Sequence, residues 1–302
     1  PLLQTLADVL SNKNHYTQFY DLVMKSNAVH AVLQDKDASF TVFAPLNNAF
    51  EDTWSSENFN LNMTFDRLRT QAGFELHLQN LLEHHIVPNN IYCKDNFTDK
   101  QVLPLLNQEE ARINLKPDYV FVRANSPVQG NYEWSPTKQM AIMTPDQNAN
   151  NGVIHGTNRI FYTHWMLETI ADRMANLTAT TIPSPQIDVF FQALAATASI
   201  TEKLSDNTQT FTVFAPNDAA WRNLESEPSS SSFYACIFNT PELLQNVLEY
   251  HILISGVYSV ESLENTPNNT FTTMAGEVVQ LNDDLLSGNS GVFVNPNILA
   301  SN

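Results

Sequence analysis

Leu78, Leu81 and Leu82, with Ile86 beyond them, fall at the three-and-four spacing of a single helix face, so the segment LQNLLEHH is predicted to form an amphipathic helix. It leads straight into an apolar run, IVPNNIYC, with strand character. The same succession returns at 244–259, where LQNVLEYH leads into ILISGVYS. Upstream of each, the chain writes FTVFAP, at 40–45 and again at 211–216. FTVF is β-branched and aromatic and reads as a buried strand, with Phe43 and Phe214 as core positions. Pro45 and Pro216 stop it, because proline has no amide to give to a ladder. Asn47/Asn48 and Asn217/Asp218 then offer side-chain oxygens suited to cap a following helix. Later in each half the pattern turns to β: YVFVRA, KQMAIMT and GVIHG in the first, EVVQLN and GVFVN in the second.

These matches are colinear. LQTLADVLSN at 3–12 pairs with LETIADRMAN at 167–176, and the phrases recur in one order at nearly constant offset. A duplicated domain follows. Residues 1–164 form the first copy and 165–302 the second, with the connection HWMLETIADRMAN read as a helix of the second domain. Phe43/Phe214, Leu82/Leu248 and His85/His251 are expected in matching surroundings. TPDQNANNGVIHG closes the first copy. Asn302 then stands against Asn151, so the second copy is expected to lack its counterpart of the last strand.

Composition narrows the function. The net charge is −17, with 15 Lys plus Arg against 32 Asp plus Glu, which argues against binding nucleic acid or an anionic membrane. No Lys or Arg occurs after Arg222, where nine acidic residues remain; the plain reading is a solvated acidic surface, the sharper one a face for cations or a basic partner. No run approaches the length of a membrane helix. Cys93 and Cys236 occupy non-equivalent positions, which excludes a disulfide within either copy. One bridge between the copies or two free, buried thiols are left. N-x-S/T sequons stand at Asn62, Asn96, Asn176 and Asn268; in a chain this rich in Asn, Ser and Thr their number carries no weight, and only their placement does.

TVFAP followed by Asn or Asp, the Tyr250–His251 pair, and NGVIH near the end of the first copy together resemble the fasciclin-I family. The resemblance covers both copies. It implies an α+β fold of two tandem domains, each a wedge-shaped twisted β-sandwich flanked by helices. It further implies adhesion or matrix function outside the cell, and it links the Tyr-His segment to partner binding. The first copy carries His84–His85 where the family has Tyr-His, and Thr157–Asn158 where it tends to have Ile-Asp.

Chemistry is sparse. His77 and His84 share a helix face, but no third ligand is spaced to join them, and HExxH and Cys/His clusters are absent from the sequence. SGNSG at 287–291 has G-x-S-G spacing and reads as a turn. Neither enzyme activity, cofactor nor metal is expected. His84, His85, Tyr250 and His251 sit where an apolar helix meets an apolar strand. They are either partner-binding positions, as the resemblance implies, or structural histidines hydrogen-bonded to backbone, as the packing implies; His155 is read as structural. The leading expectation is a secreted or cell-surface adhesion or matrix glycoprotein binding proteins or polysaccharide. The alternative is a docking subunit of a larger cell-surface or organelle-lumen assembly.

Overall fold

Thr5 opens the first helix with a capping box: its hydroxyl accepts from Asp8 N while the Asp8 carboxylate accepts from Thr5 N at 2.8 Å. Thr169 and Asp172 repeat the device one copy later, at 3.0 and 3.2 Å. The computed structural model describes residues 4–50, 61–117, 119–125, 140–166, 168–179, 186–227, 231–254, 256–259, 262–263, 270–282, 285–288 and 293–294. Contacts divide the chain into two units, Pro1–Leu167 and Glu168–Asn302.

In the first unit α1 (Leu6–Ser11), α2 (Thr17–Val23) and α3 (Asn27–Gln34) lead into β1 (Phe40–Pro45). Next come α4 (Leu61–Thr70), α5 (Glu75–Glu83) and β2 (Ile86–Pro88), then β3 (Val102–Pro104), β4 (Glu110–Leu115), β5 (Val120–Asn125), β6 (Met140–Ala149) and β7 (Gly152–Thr157). The seven strands run in the order β2-β1-β7-β6-β5-β4-β3, with β1 and β7 parallel and every other pair antiparallel. Register shifts in β6 bend the sheet, and Leu106 N, just past β3, donates to Ile86 O of β2, so its two ends meet. Phe43, Val87, Leu103, Ile113, Val122 and Phe161 fill the space enclosed. Asn151 pins the helices to this sheet: its Oδ1 accepts from Leu6 N, and its Nδ2 donates to Leu33 O and Asp35 O.

The second unit contains α6 (Ile170–Ala179), α7 (Asp188–Ala195), α8 (Ala198–Leu204), β8 (Thr212–Val213), α9 (Asp218–Ser226), α10 (Ser231–Asn239), α11 (Pro241–Tyr250) and β9 (Ile252–Leu253). It continues through β10 (Thr270–Thr272), β11 (Val278–Asn282), β12 (Leu285–Gly288) and β13 (Phe293–Val294). β8 pairs with β9, and β10 to β13 form an antiparallel meander. Of the SGNSG expected to form a turn, Ser287 and Gly288 end β12 and residues 289–291 lie outside the described residues. In both units helices predominate in the first half and antiparallel strands in the second, so the architecture is α+β in tandem.

Two local expectations need correction. Asn217 caps α9, accepting from Ala220 N at 2.9 Å, but Asn47 caps nothing. Its Oδ1 instead accepts from Gln18 N and its Nδ2 donates to Asn14 O, so its side chain ties the corner to α2, and only a short 3-10 turn, Asn47–Ala49, follows. The second correction concerns Phe43 and Phe214. Their backbones match: Phe43 N donates to His85 O at 2.9 Å and Phe214 N to His251 O at 2.8 Å. Phe43 is fully buried among Phe97, His155 and Phe161, whereas Phe214 is half-buried. In the first unit β7 lies against β1; among the described residues of the second, no strand stands in that place.

Candidate functional site

The helix–strand junction is built by burial. Leu78, Leu81 and Leu82 face the core, so α5 stops with its last carbonyls indoors, and indoor carbonyls require donors. His85 supplies one: its Nδ1 lies 2.8 Å from Leu81 O. On the far side of the ring, Nε2 accepts from Phe161 N at 2.9 Å. An acceptor at Nε2 makes Nδ1 the protonated nitrogen, so the two backbone groups set the tautomer. Burial holds His85 far below the ordinary histidine range, at about 3; the Leu81 carbonyl opposes this and His84 adds to it. The ring also packs 5.7 Å from Phe19.

The second unit repeats this junction. His251 Nδ1 lies 2.7 Å from Val247 O, and Phe190 stands 6.1 Å from its ring, where Phe19 stands in the first. Leu82 and Leu248 are both fully buried. Burial lowers the pKa of His251, with the Val247 carbonyl opposing. The strand turn is duplicated as well: Thr41 Oγ1 accepts from Tyr92 N and donates to Asn90 O, and Thr212 Oγ1 accepts from Tyr258 N and donates to Gly256 O. Sequence reasoning missed this pair, although the second letter of FTVFAP carried it.

The neighbouring positions diverge. His84 is buried, with Nδ1 3.0 Å from the Asn107 side-chain nitrogen and 3.4 Å from Glu109 Oε2; Tyr250, in the same repeat position, packs on the Leu253–Phe271 cluster. His155, on β7, is fully buried and stacked on Phe43. Its Nε2 donates to Tyr92 O at 2.7 Å and its Nδ1 accepts from Asp146 N. Burial lowers its pKa against the Tyr92 carbonyl and Asp146. His77 and His84, which could share a helix face, are not brought to one site: the His77 ring packs between Phe74 and Trp165, at 5.0 and 4.8 Å. Among the described residues no group of three or more His, Cys, Asp or Glu is placed to hold a metal ion. With both ring nitrogens engaged by backbone, His85 and His155 have no lone pair or proton for a substrate.

The remaining positions lie apart from this junction. Asn96 is exposed on a 3-10 turn, Lys94–Asn96. Asn176 sits in α6 with its amide nitrogen donating to Glu168 Oε1 at 2.9 Å. Asn62 lies in α4, and Asn268 falls outside the described residues. Cys93 is half-buried and Cys236 exposed, which corrects the expectation of buried thiols: α10 turns Cys236 outward, about a quarter-turn round the helix from its one buried residue, Ile237. Among the described residues no helix is long and apolar enough to cross a membrane.

Fold and junction together define a tandem α+β protein built on one repeated corner of strand, helix and strand. The Fasciclin domain family model matches residues 14–163 and 185–302, and the chain belongs to that family. It is similar to Fasciclin-1 of Schistocerca americana, 23% identical over 265 residues, covering 85% of this chain and 35% of that protein. It is also similar to transforming growth factor-beta-induced protein ig-h3 of Sus scrofa, 24% identical over 266 residues, covering 83% of this chain and 33% of that protein. The chain therefore spans about a third of the length of the curated relatives it matches. A solved FAS1 domain pair from the insect cell adhesion molecule fasciclin I is 17% identical, covers 90% of this chain and 87% of that chain, and superposes with a TM-score of 0.36.

Proposed function

We propose that this chain is a non-enzymatic adhesion or matrix protein, acting at the cell surface or outside the cell and binding protein or polysaccharide partners through domain surfaces. Membership of the family that includes Fasciclin-1 supports this, the insect fasciclin I being described as a cell adhesion molecule. The observation that carries the non-enzymatic half is the engagement of His85 and His155 by backbone on both ring nitrogens. A conspicuous histidine motif spent on backbone leaves recognition to the outside of the domains. His84, His85, Tyr250 and His251 are on this reading frame residues. The boundary near 164 separates two domains that share that frame. Asn96, exposed on its 3-10 turn, is a sequon open to a glycan, which fits the secretory route. The test is attachment of cells to surfaces coated with the secreted chain, alongside capture on immobilised matrix proteins and polysaccharides. Attachment above an uncoated control is expected; a chain that supports neither attachment nor capture overturns the proposal.

A further inference from the structure

The two copies treat one aromatic pair differently. In the first unit Phe50 and Phe65 meet edge to face at 5.4 Å, Phe65 is only 4% exposed, and the Arg69 guanidinium lies over its ring, 5.9 Å from the centroid. In the second unit the repeat position of Phe50 is Trp221, and it meets Phe238 of α10 in the same manner, at 5.5 Å. Trp221 is buried, but Phe238 is 37% exposed. Among the described residues the cation–ring contact seen at Phe65 is not repeated at Phe238, and α10 itself carries no Lys or Arg. Arg222 itself is exposed on α9, one step round that helix from Trp221.

The open ring has company. Tyr234 lies one helical turn from Phe238, ring to ring at 4.9 Å. Burial raises the Tyr234 phenol pKa, and the Glu225 carboxylate of α9, the helix packed against α10, raises it further. Glu227, four residues before α10, is exposed at the end of α9. Around the helix, Tyr234 and Phe238 stand on one flank of the buried Ile237 and Phe233 on the other. An exposed aromatic flank next to carboxylates attracts a cation twice, by charge and through the negative face of the ring. The same carboxylates repel a sulfated or uronic polysaccharide.

We propose that the Tyr234–Phe238 flank of α10, with Glu225 and Glu227 at its edge, docks a basic amphipathic segment of a protein partner, an arginine of which lies over Phe238 as Arg69 lies over Phe65. This deepens the adhesion reading and rests on it, and the two fail separately: a chain that attaches cells yet ignores a basic peptide overturns this site alone.

The probe is a fluorescein-labelled amphipathic helical peptide of arginine, leucine and alanine, titrated into the whole chain by anisotropy, with aromatic ring shifts followed by NMR. Binding with shifts at Tyr234 and Phe238 is expected. Glu225→Lys combined with Glu227→Lys should weaken it about tenfold or more, since steering and complementarity both reverse. Phe238→Ser should weaken it similarly and Phe233→Ser should leave it within about twofold, as expected of a contact confined to one flank. Phe238 also packs on Trp221, so the double glutamate variant, changed only at exposed positions, keeps the test independent of folding. Three results would overturn the site: equal binding of the peptide with glutamate for arginine, indifference to the double variant, or a chain whose Phe238 face is taken by a second copy of itself.

Discussion

Replacing His85 with alanine removes two hydrogen bonds and a ring at once, and the structure sets the scale of the loss. Phe161 N and Leu81 O are buried and would be left facing an empty space. One unsatisfied buried backbone group costs about 1–3 kcal/mol, and deletion of the ring adds a cavity term. Partial collapse around Phe19 and Phe161 recovers some of this, so a loss of about 3–5 kcal/mol is expected for the first unit. For a unit of this size each kcal/mol shifts the midpoint by about 2–4 °C, so its melting transition should fall by roughly 6–20 °C. His251 is half-buried with one backbone bond in place, to Val247 O, so His251→Ala should cost less, about 1–3 kcal/mol, and act on the second unit. The assay is urea and thermal unfolding of both variants, with cell attachment measured where each is still folded. Attachment should fall only as the folded fraction falls. A variant with unchanged unfolding that no longer attaches cells would refute the frame reading and make the histidine a contact residue.

Further outcomes follow from the same geometry. His85 has a folded pKa of about 3 against an unfolded value near 6.5, and those of His155 and His251 are also lowered; their contribution is complete above pH 6.5 and lost as pH falls below it. Each costs up to about 1.4 kcal/mol per pH unit on that slope, so unfolding midpoints measured from pH 7 to 5, where carboxylates are still ionised, should decline, and a flat profile would contradict the neutral, buried state of these rings. A Cβ at Gly156 would lie 1.9 Å from Thr144 Oγ1 and 2.6 Å from the Tyr16 hydroxyl, so Gly156→Ala should cost about 2–3 kcal/mol in denaturant titration. On chain secreted from a glycosylating host, Asn96→Gln should remove one glycan by mass, and Asn176→Gln should remove none, because that amide is already bonded to Glu168, ahead of α6.

The legible parts of this chain were the ones set by local periodicity and by repetition. Leucine spacing marked α5 and α11, the doubled FTVFAP marked the two strand corners, and both rest on neighbours close in sequence. The parallel pairing of β1 with β7 joins segments more than a hundred residues apart, and no local signal announces which strand will lie beside which. β3 and β4 were missed because Glu110 and Arg112 interrupt the apolar run, although alternate residues Ala111 and Ile113 are buried. Asn47 was misread because a side-chain amide suits a cap and a tertiary tie equally well, and only the position of α2 decides between them. At the junction, helix end and apolar strand placed His85 indoors, but its second partner, Phe161, comes from beyond β7 and could not be named from spacing.

The duplication also separates what the frame requires from what each copy is free to change. Both units retain the threonine–aspartate capping box, the threonine that holds the turn after the junction, and the histidine that closes the last turn of the helix, with backbone partners repeated to within a few tenths of an ångström. All of these bond to backbone, and backbone geometry survives when surrounding side chains are exchanged. The helix between corner and junction, α4 in one copy and α10 in the other, differs between them. In the first unit it buries Phe65 and Leu68 and carries two arginines; in the second it buries Ile237 alone and turns aromatics outward beside an acidic edge. The divergence of α4 and α10 beside these repeated backbone bonds is the ground on which the proposed docking site of the second domain stands.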